Sequence, residues 1–378
     1  MRKLIFFLSF ITLIFFVGCE KGEEIKTPTG PVNGNENPDP DNSYPNAMIE
    51  NFGVNLSGGE FGGVYPGVIG THYGYPTAKD LDYFKSKKLT LIRFPFRWER
   101  VQYDLNGPLN PLDLGLMKTF VKAAEERNML VILDMHNFAR RSFDGGKTHT
   151  VIGSGSELTK EHLADVWQKI ALEFKSYTNI WAYDIMNEPY AMPTTGSWFD
   201  IAQATIQSIR QVDTKTPIVI SGDRYSSSYH WVQFSDNLRN LNDPAEKLIF
   251  QAHIYFDKNM SGSYGSYVNG VFVPSTYEAE GATPQTGVDR MKPFVEWLRK
   301  YNKKGMVGEY GIPDDDQRWN TVLENMLIYL RDNGVPGTYW SAGPRWGYYR
   351  LAVQPTNNYT TDRPQMKVLE KYTKTDPK

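Results

Sequence analysis

The chain has 378 residues, 40% hydrophobic and 22% charged, enough to bury one large core. Its formal net charge of −2 leaves no basic stripe for a polyanion, so nucleic acid is not expected as a partner. The single cysteine, Cys19, excludes an internal disulfide, a cysteine-based metal site and a cysteine dyad.

Residues 1–18 follow the plan of an export signal: Arg2 and Lys3 first, an apolar run from Leu4 to Val17, then Gly18-Cys19. The run is shorter than the ~20 residues that span a bilayer. Phe16-Val17-Gly18-Cys19 resembles a bacterial lipoprotein cleavage box, with Phe16 where Leu is usual. The resemblance implies a lipid on Cys19 that anchors the mature chain in a membrane. Glu20, Glu23 and Glu24 resemble the acidic stretch that sends some Gram-negative lipoproteins to the outer-membrane surface; plain secretion is the alternative. Residues 19–47 read as a tether, since Thr27 to Asn46 is Pro, Gly, Asn and Asp without apolar period. One catalytic domain is expected over residues 48–378, acting as a monomer.

Within it, apolar runs of strand length recur at Phe52 to Leu56, Leu89 to Phe94, Leu130 to Met135, Ile180 to Met186, Ile218 to Ser221, Leu248 to Ile254, Met306 to Gly308 and Val335 to Trp340. Helical period fills the intervals, as in Leu112-Leu116-Phe120-Ala124, Leu163-Val166-Trp167-Ile170-Phe174, Trp198-Ile201-Ala202-Thr205-Ile209 and Met291-Phe294-Val295-Leu298. Thr159 and the Thr195-Gly196-Ser197 segment supply hydroxyls before two of these. Eight alternations predict the α/β class and a closed (β/α)8 TIM barrel. An open doubly wound sheet would need fewer strands and a Gly-rich phosphate turn, which Gly58-Gly59-Glu60 is not. The loop from Asp257 to Pro284 is expected to wall the cleft but, being rich in Ser, Gly and Tyr, not to hold a firm structure.

Functional residues of a barrel lie at the carboxyl ends of its strands. There the chain carries Arg93, His136, Asn137, Asn187, Glu188, His253, Tyr255, Glu309 and Trp340. Glu188 and Glu309 each end a buried apolar run, with room between them for about three strand–helix units of ~30 residues. Two strand-end glutamates facing one cleft are the minimum equipment for glycoside hydrolysis.

At these positions the sequence resembles glycoside hydrolase family five, the cellulase-type family of retaining β-glycanases, over Met48 to Tyr372. The motifs are Leu-Ile-Arg-Phe-Pro (91–95), Asp-Met-His-Asn (134–137), Met-Asn-Glu-Pro (186–189), His-Ile-Tyr (253–255), Gly-Glu-Tyr-Gly (308–311) and Tyr-Trp (339–340). The resemblance implies Glu188 as proton donor and Glu309 as nucleophile, the latter held by Arg93 and Tyr255. It implies Asn187 on the sugar 2-hydroxyl, and His136 and His253 on sugar hydroxyls or on carboxylates behind them. Asn137 joins them as a supporting residue, and Trp340 is the stacking floor. Retaining chemistry asks for carboxyl groups ~5–5.5 Å apart. Taken singly, Arg93 reads as a salt-bridge partner, His253 as a satisfied buried histidine and Trp340 as core; their joint placement favours the functional reading.

Trp98, Tyr225, Trp231 and Trp346 follow strands two, five and eight, where further sugar platforms would form, whereas Trp181 and Trp297 read as core. No His-Glu-x-x-His or paired-histidine spacing occurs, so neither a catalytic metal nor a cofactor is expected. Asp314-Asp315-Asp316 reads as a solvated loop and helix cap sooner than a calcium site. Asn137-Phe138-Ala139-Arg140 and Gly222-Asp223-Arg224-Tyr225 resemble the subgroup containing many endo-β-1,4-glucanases, with Tyr225 where tryptophan is frequent. The expectation is a retaining endo-β-1,4-glucanase with a polysaccharide partner. Alternatives are a mannanase, glucomannanase or xyloglucanase of the same family, a transglycosylase, or a non-catalytic glycan-binding surface lipoprotein.

Overall fold

The computed structural model describes residues 52–194 and 197–373. The expected signal, Cys19, the tether and Met48 lie outside them. Eight strands, β1 Phe52–Leu56, β2 Leu91–Phe96, β3 Leu130–Met135, β4 Ile180–Asp184, β5 Ile218–Ser221, β6 Leu248–Tyr255, β7 Lys304–Gly311 and β8 Gly337–Ala342, pair in parallel and close where β1 meets β8. Helices α1 Ala78–Ser86, α2 Pro111–Glu125, α3 Lys160–Phe174, α4 Ser197–Arg210, α5 Thr286–Lys300 and α6 Arg318–Asp332 alternate with them, while β5 and β6 are joined by the shorter turns Trp231–Ser235 and Asp236–Asn240. This is the expected (β/α)8 barrel.

The bounds of β1, β3 and β5 coincide with the apolar runs that predict them. The run at Met306 understates β7, which extends through Lys304, Gly305 and Glu309 to Gly311. Pairing with partners on both sides outweighs the weak strand propensity of those residues. Helix α3 begins at the expected Thr159, whose backbone N–H donates to His162 Nδ1 at 3.0 Å, and buries the predicted Leu163, Val166, Trp167, Ile170 and Phe174. Of the cap expected for α4, Thr195 and Gly196 lie outside the described residues.

Two cores result. Apolar side chains on the outer face of the strands pack beneath the helices. Inside the barrel, Leu91, Ile132, Ala182, Val219, Ile249 and Met306 form a separate apolar floor. Because side chains alternate along a strand, the residues two positions further on share this inner face. These are Arg93 on β2, Asp134 on β3, Asp184 on β4, Ser221 on β5 and Gln251 on β6, all fully buried. The barrel therefore passes from apolar floor to polar layer to open mouth; the next step up places His136 and His253 at the rim, and one more places Tyr255 there.

Three sequence expectations need correction. Trp98 and Trp231 are wholly buried rather than exposed platforms; Trp98 donates its indole N–H to Gln102 at 3.0 Å, and Trp231 packs edge-on against Phe294 and Trp297. The loop after β6 is firmly built. The Asp257 carboxylate accepts backbone N–H groups from Ser261 and Gly262 at 3.2 and 3.0 Å, and buried Tyr264 donates its hydroxyl to the Gly311 carbonyl at 2.6 Å. Beyond it, Gly265–Val268 and Val271–Pro274 pair as an antiparallel hairpin. Composition misled here because the ordering comes from one buried carboxylate and one tyrosine, neither of which sets up a period.

Candidate active site

Arg93 organises the polar layer. Its Nε donates to Asp184 at 2.9 Å and Nη1 to both Asn55 and Glu309 at 2.9 and 3.0 Å; Nη2 donates to Asn187 at 2.7 Å and lies 3.0 Å from Asp134 Oδ1. One guanidinium thus serves three carboxylates and two amides. Burial works against its charge, but Asp134, Asp184 and Glu309 overcome this and push its pKa above the normal arginine range. The negative charge left in excess has a counterpart: burial raises Asp134 and Asp184 to about 6 despite the pull of Arg93.

Glu309 reaches this layer through an irregularity. Val307 pairs with Ala252 on β6, yet Glu309 pairs with His253, so Gly308 is an extra, bulged residue. Without the bulge, alternation from inward Met306 would turn Glu309 outward; with it, Glu309 joins the inner face. Any side chain at 308 would collide with Gln251, since a Cβ would lie 2.3 Å from that residue's Cδ. The bulged carbonyl is satisfied by Asn55 Nδ2 at 2.9 Å and by the Thr338 hydroxyl at 2.6 Å. Glu309, with 6% of its side chain exposed, accepts Arg93 on Oε1 and the Tyr255 hydroxyl on Oε2 at 2.8 Å. Burial and the Glu309 charge keep the Tyr255 phenol protonated and therefore a donor.

Glu188 sits opposite in a left-handed conformation, φ 45°, at the end of the segment leaving β4. Its Oε1 lies 2.7 Å from His253 Nδ1, which is itself 3.6 Å from Glu309 Oε2. Burial raises the Glu188 carboxyl to about 8, with Arg93 opposing and Asp134 reinforcing the shift. Burial likewise lowers His253 to about 4, so its ring is neutral at ordinary pH. We assign the proton to Nδ1, donating to Glu188 Oε1, because the buried Nε2 has no partner and an unmade acceptor costs less than an orphaned donor. The carboxyl proton of Glu188 then resides on its other oxygen.

His136 Nδ1 lies 2.8 Å from Asp134 Oδ2, and its Nε2 lies 3.3 Å from Asn187 Nδ2. Burial holds its pKa down at about 3, so it too is neutral, a donor to Asp134 and an acceptor for Asn187. Trp340, 9% exposed, lies nearly parallel to the His136 ring with centroids 5.2 Å apart. Trp346 stacks on Tyr349 at 4.4 Å and meets Trp340 edge-on, so one of its faces is already covered. Asn137 does not face the mouth: its carbonyl accepts Trp98 N–H at 2.8 Å and its amide donates to Glu99 at 2.8 Å, tying the loop after β3 to that after β2.

From Glu188 a cavity of about 540 Å³ runs outward past Tyr225, Ser227, His230, Phe234 and Met260, a volume suited to a small ligand or a few sugar units. Tyr225, 49% exposed, forms part of its wall. Among the described residues, one set could hold a metal ion, namely Glu188, His253 and Glu309 with one ligand atom of each within 4.8 Å of the others. Of these, Glu188 and His253 are already joined by a hydrogen bond, and Glu309 is held by Arg93 and Tyr255. Asp314, Asp315 and Asp316 each pair with their own guanidinium, from Arg363, Arg350 and Arg318.

Sequence reasoning missed Asn55, Asp134 and Asp184, which contact Arg93, and Gln251, which donates to Asp184 at 2.9 Å. The signal was present for the two aspartates. Each interrupts an apolar strand buried on both faces, where a lone carboxylate requires a cationic partner.

A parallel barrel with one oxygen of each of two glutamates within 4.8 Å of the other at its mouth is an arrangement suited to glycoside hydrolysis. The model for the cellulases of glycosyl hydrolase family 5 matches residues 48–345, and the chain belongs to that family. It is 28% identical over 330 residues to endo-beta-1,4-glucanase B of Aspergillus niger, covering 86% of this chain and 91% of that one. The endoglucanase Cel5A of Pseudomonas stutzeri superposes with a TM-score of 0.77 at 42% identity, covering 87% of this chain and 95% of that one. The endo-beta-1,4-glucanase Xac0029 of Xanthomonas axonopodis pv. citri gives a TM-score of 0.75 at 31% identity, covering 85% and 98%.

Proposed function

We propose that this protein is a retaining endo-β-1,4-glucanase that cuts internal bonds of β-glucan by double displacement. The observation that carries the reading is the asymmetry of the two carboxyl groups. Glu188 is held as an acid beside neutral His253, while Glu309 accepts hydrogen bonds from a guanidinium and a phenol that fix its two oxygens in place. In the first step Glu309 attacks the anomeric carbon as Glu188 passes its proton to the departing glycosidic oxygen. In the second, ionised Glu188 takes a proton from water, which displaces Glu309 and restores both groups. Asn187, whose carbonyl is occupied by Arg93 and one of whose amide hydrogens goes to His136, keeps its second N–H for the sugar 2-hydroxyl. An oxygen of Glu188 within 4.8 Å of an oxygen of Glu309 supports direct attack, because inverting chemistry sets the two carboxyl groups ~6.5–9.5 Å apart to admit a water.

The β-1,4-glucan assignment is supported by the endoglucanase relatives, among them the Pseudomonas stutzeri enzyme described in complex with cellobiose. Reducing-sugar release from a soluble cellulose derivative, mixed-linkage glucan, mannan and xyloglucan tests it. Fastest release from the glucans, abolished in Glu309→Ala, is the expected result. Preference for mannan or xyloglucan would replace the substrate, and binding without release would make the protein a glycan-binding surface protein. The sequence features around Cys19 support a lipid-anchored, outer-membrane location.

A further inference from the structure

Three loops, after β3, β4 and β5, surround Glu188, and each contains non-glycine residues with left-handed backbone. Phe138 and Ala139 are in the first, Glu188 and Ala191 in the second, and Arg224, Tyr225 and Ser226 in the third, all with φ between 45° and 61°. Such residues cost ~1–3 kcal/mol each and persist where their surroundings over-determine them. Here the loops hold one another: Phe138 N–H donates to Asn187 O at 3.0 Å, and Tyr225 N–H donates to Pro189 O at 3.1 Å. Arg140 joins the set. Its Nη1 donates to Phe138 O and its Nη2 to Tyr190 O, both at 3.0 Å, and its guanidinium lies 3.4 Å from the centroid of the Tyr190 ring. On Tyr190 in turn stacks Tyr225, with centroids 4.3 Å apart and planes 18° from parallel. The end of this Arg140–Tyr190–Tyr225 stack borders the cavity that leads away from the catalytic acid.

We infer that Arg140 is a positioning residue for the leaving-group side of the reaction, acting through Tyr190 to fix the ring of Tyr225 against the sugar units that depart when Glu188 gives up its proton. Arg140 pairs with no carboxylate among the described residues. Its donors go to two backbone carbonyls and its face to an aromatic ring, an arrangement that aims a neighbour without adding a charge pair. The inference rests on the double-displacement reading and has a consequence particular to it. Leaving-group contacts act until the glycosidic bond breaks; when water attacks the glycosyl-enzyme, that side has emptied.

The test compares Arg140→Ala and Arg140→Lys on cellopentaose and on 2,4-dinitrophenyl β-cellobioside, whose activated leaving group makes the second step limiting. Arg140→Ala is expected to lower kcat/KM on cellopentaose about fivefold to tenfold, the fold-change matching the ~1 kcal/mol of a partly desolvated cation–π contact. The same variant should keep kcat on the aryl cellobioside within about twofold of the parent, and Arg140→Lys should recover part of the loss. Tyr225→Ala should reproduce the cellopentaose defect, and the double variant should add little, since the two act as one unit. Equal losses on both substrates, an unchanged cellopentaose rate, or fully additive losses would overturn the inference. Failure of the parent enzyme to hydrolyse either substrate would instead defeat the proposed function.

Discussion

Glu188 and Glu309 bring the same carboxyl group into surroundings that make opposite demands on it. Arg93 and Tyr255 bond Glu309 directly, whereas Glu188 has a neutral imidazole and burial that raises it to about 8. The alkaline limb of the rate should therefore follow loss of the Glu188 proton, with kcat/KM on cellopentaose falling as pH rises through about 8. Glu188→Gln should abolish this limb on aryl cellobiosides that need no acid, and a limb that survives would move the role elsewhere. Stability shifts in the same direction. A carboxyl whose folded pKa lies above its unfolded value holds its proton more tightly when folded, so stability is complete below about 4.5 and is lost as pH rises toward about 8. Glu188→Gln should accordingly raise Tm by a few degrees at pH 8 and leave it unchanged at pH 4, as read by calorimetry. The strand-end residues were legible in the sequence because a doubly buried strand gains nothing in packing from an abrupt polar residue at its end, which leaves a site as the reason for one. Asn55 and Gln251 were not, since an amide within an apolar run gives no hint of which distant group it meets, Arg93 for the one and Asp184 for the other.

At the scale of elements, two backbone irregularities aim Glu309 and Tyr255. The bulge at Gly308 turns Glu309 inward, and the tight loop at Gly262 backs the ring of Tyr255. Gly262 has φ +74°, and a Cβ there would lie 2.8 Å from the Tyr255 ring. Gly262→Ala should thus displace Tyr255 from Glu309 and lower kcat about tenfold to a hundredfold, the ~1.5–3 kcal/mol worth of a hydrogen bond to a charged group. Tyr255→Phe should match it, and both variants should keep the parent circular dichroism. Full activity in Gly262→Ala would mean that the ring is steadied from elsewhere. Strands and helices were readable because burial imposes periods of 2 and 3.6 on them. Bulge and loop were not: a bulge consists of one residue too many, visible only against the partner strand, and Asp257 orders its loop by accepting backbone groups that any sequence would offer.

For the whole molecule, the floor of six apolar side chains explains why the barrel is closed at one end and reactive at the other. Its alternation into a polar layer brings together residues as remote in sequence as Asn55 and Thr338. Fold and reaction class were therefore legible in the sequence, while specificity lay in the loops, whose course depends on contacts between β3, β4 and β5. The lipid proposed for Cys19 predicts that Cys19→Ser frees the activity from the membrane fraction; activity still sedimenting with membranes would oppose it. The central claim, attack by Glu309 with Glu188 as acid, is tested most directly by incubating the enzyme with 2,4-dinitrophenyl 2-deoxy-2-fluoro-β-cellobioside and sequencing its peptides by mass spectrometry. The account predicts a stoichiometric fluorocellobiosyl ester on Glu309 and on no other residue. An ester on a different side chain, or continued turnover of cellopentaose by enzyme esterified at Glu309, would contradict it.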